Sequence, residues 1–159
     1  MRELPDKRQK FSVENYTMSI AENAVQVKLA VDKTTTKELG FLAENIAARH
    51  LEGQGYQVIG RNYRQPWGEI DVIAQKDDVI FFVEVKANRK EFAAGGFEPE
   101  GRVNPTKLDK IIKTAFLYME YELKNPELAW QVDIISVTFN QDKQNAKIKH
   151  FTNVAQDYQ

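Results

Sequence analysis

The chain has 159 residues, 42% hydrophobic and 28% charged, with a formal net charge of −1, the profile of one ordinary globular domain. Near-neutrality excludes a globally basic nucleic-acid binder, so such a partner would have to be recognised by local clustering of charge. The absence of cysteine excludes disulfides, thiolate metal sites and a cysteine nucleophile, and no apolar run reaches the roughly 20 residues that span a bilayer.

The opening "MRELPDKRQK" carries basic residues with no apolar run behind them, so no signal peptide is expected and the cytoplasm is the expected location. Residues 1–34 are read as an extension and 35–159 as the domain proper. Ser19 and Glu22 have capping-box spacing, and Ile20, Ala24, Val27 and Val31 follow at helical intervals, predicting a short helix over 20–31. A polar linker, "DKTTT", follows.

Thr35 and Glu38 form a second capping box, opening a helix to about Leu51 with Leu39, Leu42, Ala43, Ile46 and His50 on its apolar stripe. "YQVIGRNYR" reads as a strand and "QPWG" as a turn. Glu69–Ala74 and Val79–Lys86 read as a hairpin turning within "QKDD". "ANRKEFAAGGFEPEGRV" is a long polar loop, a length that is usually functional or mobile. Asn104 and Pro105 suit the N-cap and first turn of a helix with Leu108, Ile111, Ile112, Ala115 and Met119 inward, ending near Asn125-Pro126. "WQVDIISVTF" and "NAKIKHFTNV" are the last strands. Helix, three strands, helix, two strands make an α/β fold with a mixed central sheet flanked by helices.

The hairpin carries Glu69, Asp71, Glu84 and Lys86 among apolar residues. Side chains alternate across a strand, and directly opposed residues share a face. A two-residue loop, Asp77-Asp78, sets Asp71 opposite Glu84 and Glu69 opposite Lys86. A four-residue loop from Gln75 sets Asp71 diagonal to Glu84. Either gathers the four charges at one end of one face, with Ile73, Ile80 and Phe82. Ile70, Val72, Ala74, Phe81, Val83 and Val85 are expected on the other. Two carboxylates that close repel unless a proton or a cation lies between them. Mg²⁺ or Mn²⁺ prefers such oxygen ligands, and Lys86 beside them suits positioning of an attacking water. The competing reading is an ion-pair network in which Lys86 neutralises Glu69 and Glu84.

Taken together, "KELGFLAENIAARHLEGQGY", "RNYR", "GEIDVIA", "FFVEVK", "NPTK" and "HFTNVA" resemble the YraN-like family of uncharacterised bacterial proteins predicted to carry a PD-(D/E)xK nuclease core. The resemblance runs from about Thr36 to Ala155. It implies a restriction-endonuclease-like fold, a Mg²⁺- or Mn²⁺-dependent endonuclease acting on nucleic acid, DNA before RNA, and catalytic positions at Asp71, Glu84 and Lys86. It also implies that Glu44, beside Gly40 and Ala47, whose small size lets another element approach, joins Asp71 and Glu84 as a metal ligand. Glu69 and Lys107 match recurring family positions. The chain departs from the pattern in placing Arg89 three rather than two positions after Lys86, in having Gln131 where the family has Arg before Val132-Asp133, and in its first 35 or so residues.

Arg61, Arg64, Lys86, Arg89, Lys90, Lys107 and Lys110 are expected as a basic rim for nucleic acid, with Tyr63 and Trp67 as stacking faces. His50 and His150 read as isolated, giving no zinc site. Two further readings stay open. One is a non-catalytic nucleic-acid-binding module on the same fold. The other is an interaction protein that forms a homodimer through residues 1–34, pairing being a habit of junction-cutting proteins of this fold.

Overall fold

A computed structural model describes residues 35–89, 103–140 and 145–156, together with the backbone of 20–21 and 24–26. Its elements are β1 (Ile20–Ala21), β2 (Ala24–Gln26), α1 (Thr36–Gly53), β3 (Gln57–Gln65), β4 (Gly68–Lys76), β5 (Val79–Arg89), α2 (Pro105–Leu117), β6 (Ala129–Asn140) and β7 (Asn145–Phe151). A π-helical turn, Tyr118–Glu122, prolongs α2. The long loop expected after β5 lies, over 90–102, outside the described residues.

The strands form one sheet in the order β1-β2-β7-β6-β5-β4-β3. Only β5 and β6 are parallel; the other neighbours run antiparallel. The parallel pair needs a crossover, and α2 supplies it. The five long strands and two helices make the mixed α/β sheet expected from the sequence, consistent with a restriction-endonuclease-like fold.

Each helix covers one face of the sheet. On the α1 side, Leu39, Ala43, Ile46 and Leu51 pack on Val72, Val83, Ile135 and Val137. On the α2 side, Leu108, Ile111, Ala115 and Met119 pack on Ile73, Ile80, Phe82 and Val132. Strands covered on both faces read as near-continuous apolar runs, which is why β4, β5 and β6 were legible. Both helices start at the expected caps: Thr35 and Glu38 close the reciprocal capping box, and the Asn104 side chain accepts from the Thr106 amide at 2.9 Å.

Three expectations are corrected. The segment read as a helix over 20–31 contains strands at Ile20–Ala21 and Ala24–Gln26; its remainder, including Ser19 and Glu22, lies outside the described residues. The alternation in "VQVKLAV" competed with the helical spacing there, and β2 pairs with the outer edge of β7 from Ala24↔Lys147 to Gln26↔Asn145; tertiary pairing outweighs weak local propensity. Ile70 belongs to the α2-side cluster rather than with Val72 and Ala74, because β4 pairs with β5 only as far as Val72↔Val83 while its pairing with β3 continues to Gly68. Among the described residues no element approaches closely at Gly40, where an added Cβ would meet nothing within 4 Å.

Candidate functional site

The β4–β5 hairpin turns on two residues. Asp77 and Asp78 both have positive φ, 49° and 59°, the left-handed pair of a type I′ turn that suits the strand twist and that Asp tolerates. The register runs from Lys76↔Val79 to Val72↔Val83, and continued one step it sets Asp71 across from Glu84. Of the two loop readings, the two-residue one holds. Beyond Val72 the strands exchange a backbone bond for a side-chain one: the Val85 amide donates to Asp71 Oδ2 at 2.8 Å. The opening of the ladder thus points a carboxylate into the gap.

Glu84 is only 4% exposed, and its buried Oε2 accepts from no N–H or hydroxyl of the described residues, leaving Asp71 as the side chain with which it can share a proton. Its Oε1 accepts from Lys107 Nζ of α2. Burial, then the Asp71 charge, push the Glu84 carboxyl up to about 7, against the pull of Lys107. Burial also raises Asp71, against the Val85 amide and Lys107, with Glu69 adding to the rise. Two facing acids that both titrate late form a dyad that retains a proton well above the ordinary carboxylate range. For Lys107, burial works against the charge, but the hydrogen bond and charge of Glu84, helped by Asp71 and Glu69, prevail and raise it.

Lys107 also lines a cleft of about 710 Å³ between the β3–β4 turn and the start of α2, with Arg64, Trp67, Glu69 and Lys110 around it. Arg64 Nε lies 3.5 Å from Glu69 Oε2, both side chains being largely exposed. Glu44 stands half-buried on α1. Burial raises its carboxyl, the Asn62 side chain opposes this, and Asp71 adds to the rise, so Glu44 is close enough to Asp71 to feel its charge. Among the described residues, however, no three His, Cys, Asp or Glu side chains converge on one metal position. Arg61 is turned to α1, its Nη2 donating to Asn45 Oδ1 at 2.7 Å. Lys86 follows Glu84 at the next same-face position of β5, beside Ser136 of β6. Arg89 has the opposite parity and falls on the face of Val85 and Ala87, which pack toward α1. The expected basic rim therefore divides: Arg64 and Lys107 meet at the cleft, while Arg61 and Arg89 lie elsewhere and Lys90 falls outside the described residues.

Comparison with known proteins matches residues 43–137 to the uncharacterised protein family UPF0102. A UPF0102 protein of Fervidobacterium nodosum is 38% identical over 118 residues, 74% of this chain and 81% of the relative. One of Campylobacter fetus is 41% identical over 117 residues, 73% of this chain and 92% of the relative, and one of Syntrophomonas wolfei is 36% identical over 118 residues, covering 74% and 96%.

The chain belongs to the UPF0102 (YraN) family. The segment matched to UPF0102 takes in Glu44, Asp71, Glu84, Lys86 and Lys107. The family resemblance implies a hard divalent cation, and the donor set fits one: two facing oxygen ligands, one with a buried atom that no N–H donor of the described residues meets. Mg²⁺ is commonly held by just one or two carboxylates, the rest of its shell being water and substrate phosphate, so a third converging acid is not required.

Two features of this UPF0102 chain were not legible. Asn62 has a left-handed φ of 51° and meets Glu44; an Asn inside a strand-like run was the available signal. The histidines are not isolated. His50 and His150 have ring centroids 6.3 Å apart, and His150 Nε2 lies 2.8 Å from Oδ2 of the fully buried Asp133. Asp133 also accepts from Gln131 Nε2 at 2.7 Å and from the Asn153 amide at 2.8 Å. This fully bonded group ties the segment after β7 to β6, and burial, then His150, hold the His50 imidazole below its ordinary value.

Proposed function

We propose that this UPF0102 protein is a divalent-metal-dependent nuclease that hydrolyses phosphodiester bonds in nucleic acid, with DNA as its first substrate class. The supporting observation is the Asp71–Glu84 pair: two facing acids, joined through Lys107 to a cleft lined by Arg64 and Lys110, with a buried carboxylate oxygen that no N–H donor of the described residues meets. Asp71 and Glu84 would hold Mg²⁺ or Mn²⁺, with Glu44 acting from α1 through water. The ion would supply Lewis-acid stabilisation of charge developing at the scissile phosphate. Lys86, on Glu84's face, would orient the attacking water. Lys107 would exchange Glu84 for the substrate phosphate once a cation neutralises the acids, and Arg64 would hold the flanking backbone.

One observation favours the alternative of a non-catalytic nucleic-acid-binding module: Lys107 of the chain itself pairs with Glu84. Incubating branched, single-stranded and duplex DNA, and RNA, with Mg²⁺ or Mn²⁺ separates the two. Cleavage abolished in Asp71→Asn and in Lys86→Ala is the expected result. Binding without cleavage, unchanged in Lys86→Ala, would favour the module.

A further inference from the structure

The cleft beside the acids differs in character from a duplex-binding channel. At about 710 Å³ it has the size of a small-molecule recess. Its lip carries Trp67, one of the few large apolar side chains exposed among the described residues, at 37%. An exposed indole gains most from a nucleobase when it can reach the base's π-face, and paired, stacked bases keep that face covered.

The turn that carries the indole is also held in place. Pro66-Trp67 is a two-residue turn closed by the Gln65↔Gly68 pair. Gly68 then lies so close to α2 that an added Cβ would sit 2.6 Å from Thr114 Oγ1 and 3.1 Å from the Lys110 carbonyl oxygen. Only glycine permits that contact, which fixes the turn, and Trp67 with it, against the helix. A stacking surface fixed in advance loses little entropy on binding.

The charges match a nucleotide. Lys113 Nζ stands 5.8 Å from the centre of the Trp67 ring, and Arg64, Lys107 and Lys110 line the recess. Among the described residues the one carboxylate in the lining, Glu69, is drawn toward Arg64. Because Lys107 touches both the recess and Glu84, a phosphate held there lies next to the acid pair.

We infer that this cleft is a subsite for one unpaired nucleotide of a single DNA strand, its base stacked on Trp67 and its phosphate on Lys107 and Lys110. The inference rests on the nucleic-acid reading above and narrows its substrate to unpaired segments.

The test measures binding of a labelled single strand of about 16 nucleotides, and of the same strand annealed to its complement, to the full chain by fluorescence anisotropy. Mg²⁺ is present so that the acids are neutralised and Lys107 is released, and every protein carries Lys86→Ala to block cleavage. The single strand should bind about ten-fold tighter than the duplex. Trp67→Ala should weaken single-strand binding about ten-fold and leave the duplex unchanged, while Trp67→Phe retains most of the affinity. Unaltered thermal unfolding of both variants confirms that they are folded. Equal binding of the two DNAs, or no effect of Trp67→Ala, overturns the inference and leaves the nuclease reading standing. Failure of both DNAs to bind overturns this inference and the nucleic-acid reading together.

Discussion

At the scale of single residues, the account turns on Glu84. Its carboxyl titrates at about 7 in the folded chain against an ordinary value of 4.5. Between those pH values the folded chain keeps a proton that the unfolded chain releases, so this group's contribution to stability falls as pH rises. It is present in full below pH 4.5 and lost above about 7. The difference is on the order of 2–3 kcal/mol, shared with Asp71. Glu84→Gln should flatten that pH dependence when urea unfolding is followed from pH 5 to 8 in EDTA, giving a variant more stable than the parent at pH 8. If parent and variant run parallel, the burial of this acid is misjudged. That Asp71 and Glu84 share a face was readable from sequence because both even-length turns put them there; which turn forms, and so whether they stand opposite or diagonal, was not. The Glu84–Lys107 ion pair was not readable, because Lys107 arrives from a helix more than twenty residues on in the chain, and no local pattern carries that geometry. The histidine–aspartate group was hidden for the same reason, since its members lie on α1, β6 and β7.

At the scale of elements, the cleft exists because the β3–β4 turn rests directly on α2. A methyl group at residue 68 has no room before Thr114 Oγ1 at 2.6 Å, and that hydroxyl is committed to the Lys110 carbonyl at 2.7 Å. Gly68→Ala should therefore cost about 1–3 kcal/mol, as over-packing does. Adding Thr114→Ala, which removes the nearest atom, should return part of that loss in urea denaturation. Full stability in Gly68→Ala alone would mean the turn is not pressed against the helix. Such contacts are invisible in sequence: "QPWG" marks a turn, but nothing in it names the surface it meets. The same gap explains the N-terminal correction, where helical spacing and strand alternation coexist and the free edge of β7 decides between them.

At the scale of the whole molecule, one sheet is covered by α1 on one face and α2 on the other, and β2 lies along the outer edge of β7. Exposed strand edges invite pairing with another chain. Removing residues 1–34 should uncover that edge and shift sedimentation to larger species than the full chain gives. A truncated chain that instead becomes smaller would support a dimer built through the N-terminal segment. The sheet's other role is to bring two acids together where β4 and β5 part, and whether they hold a cation is most directly answered by calorimetric titration of Mn²⁺ into the full chain and into Asp71→Asn at pH 8, where the dyad has lost its proton. The account predicts saturable binding to the parent that disappears in the variant; no binding to either, or the same binding to both, would contradict it.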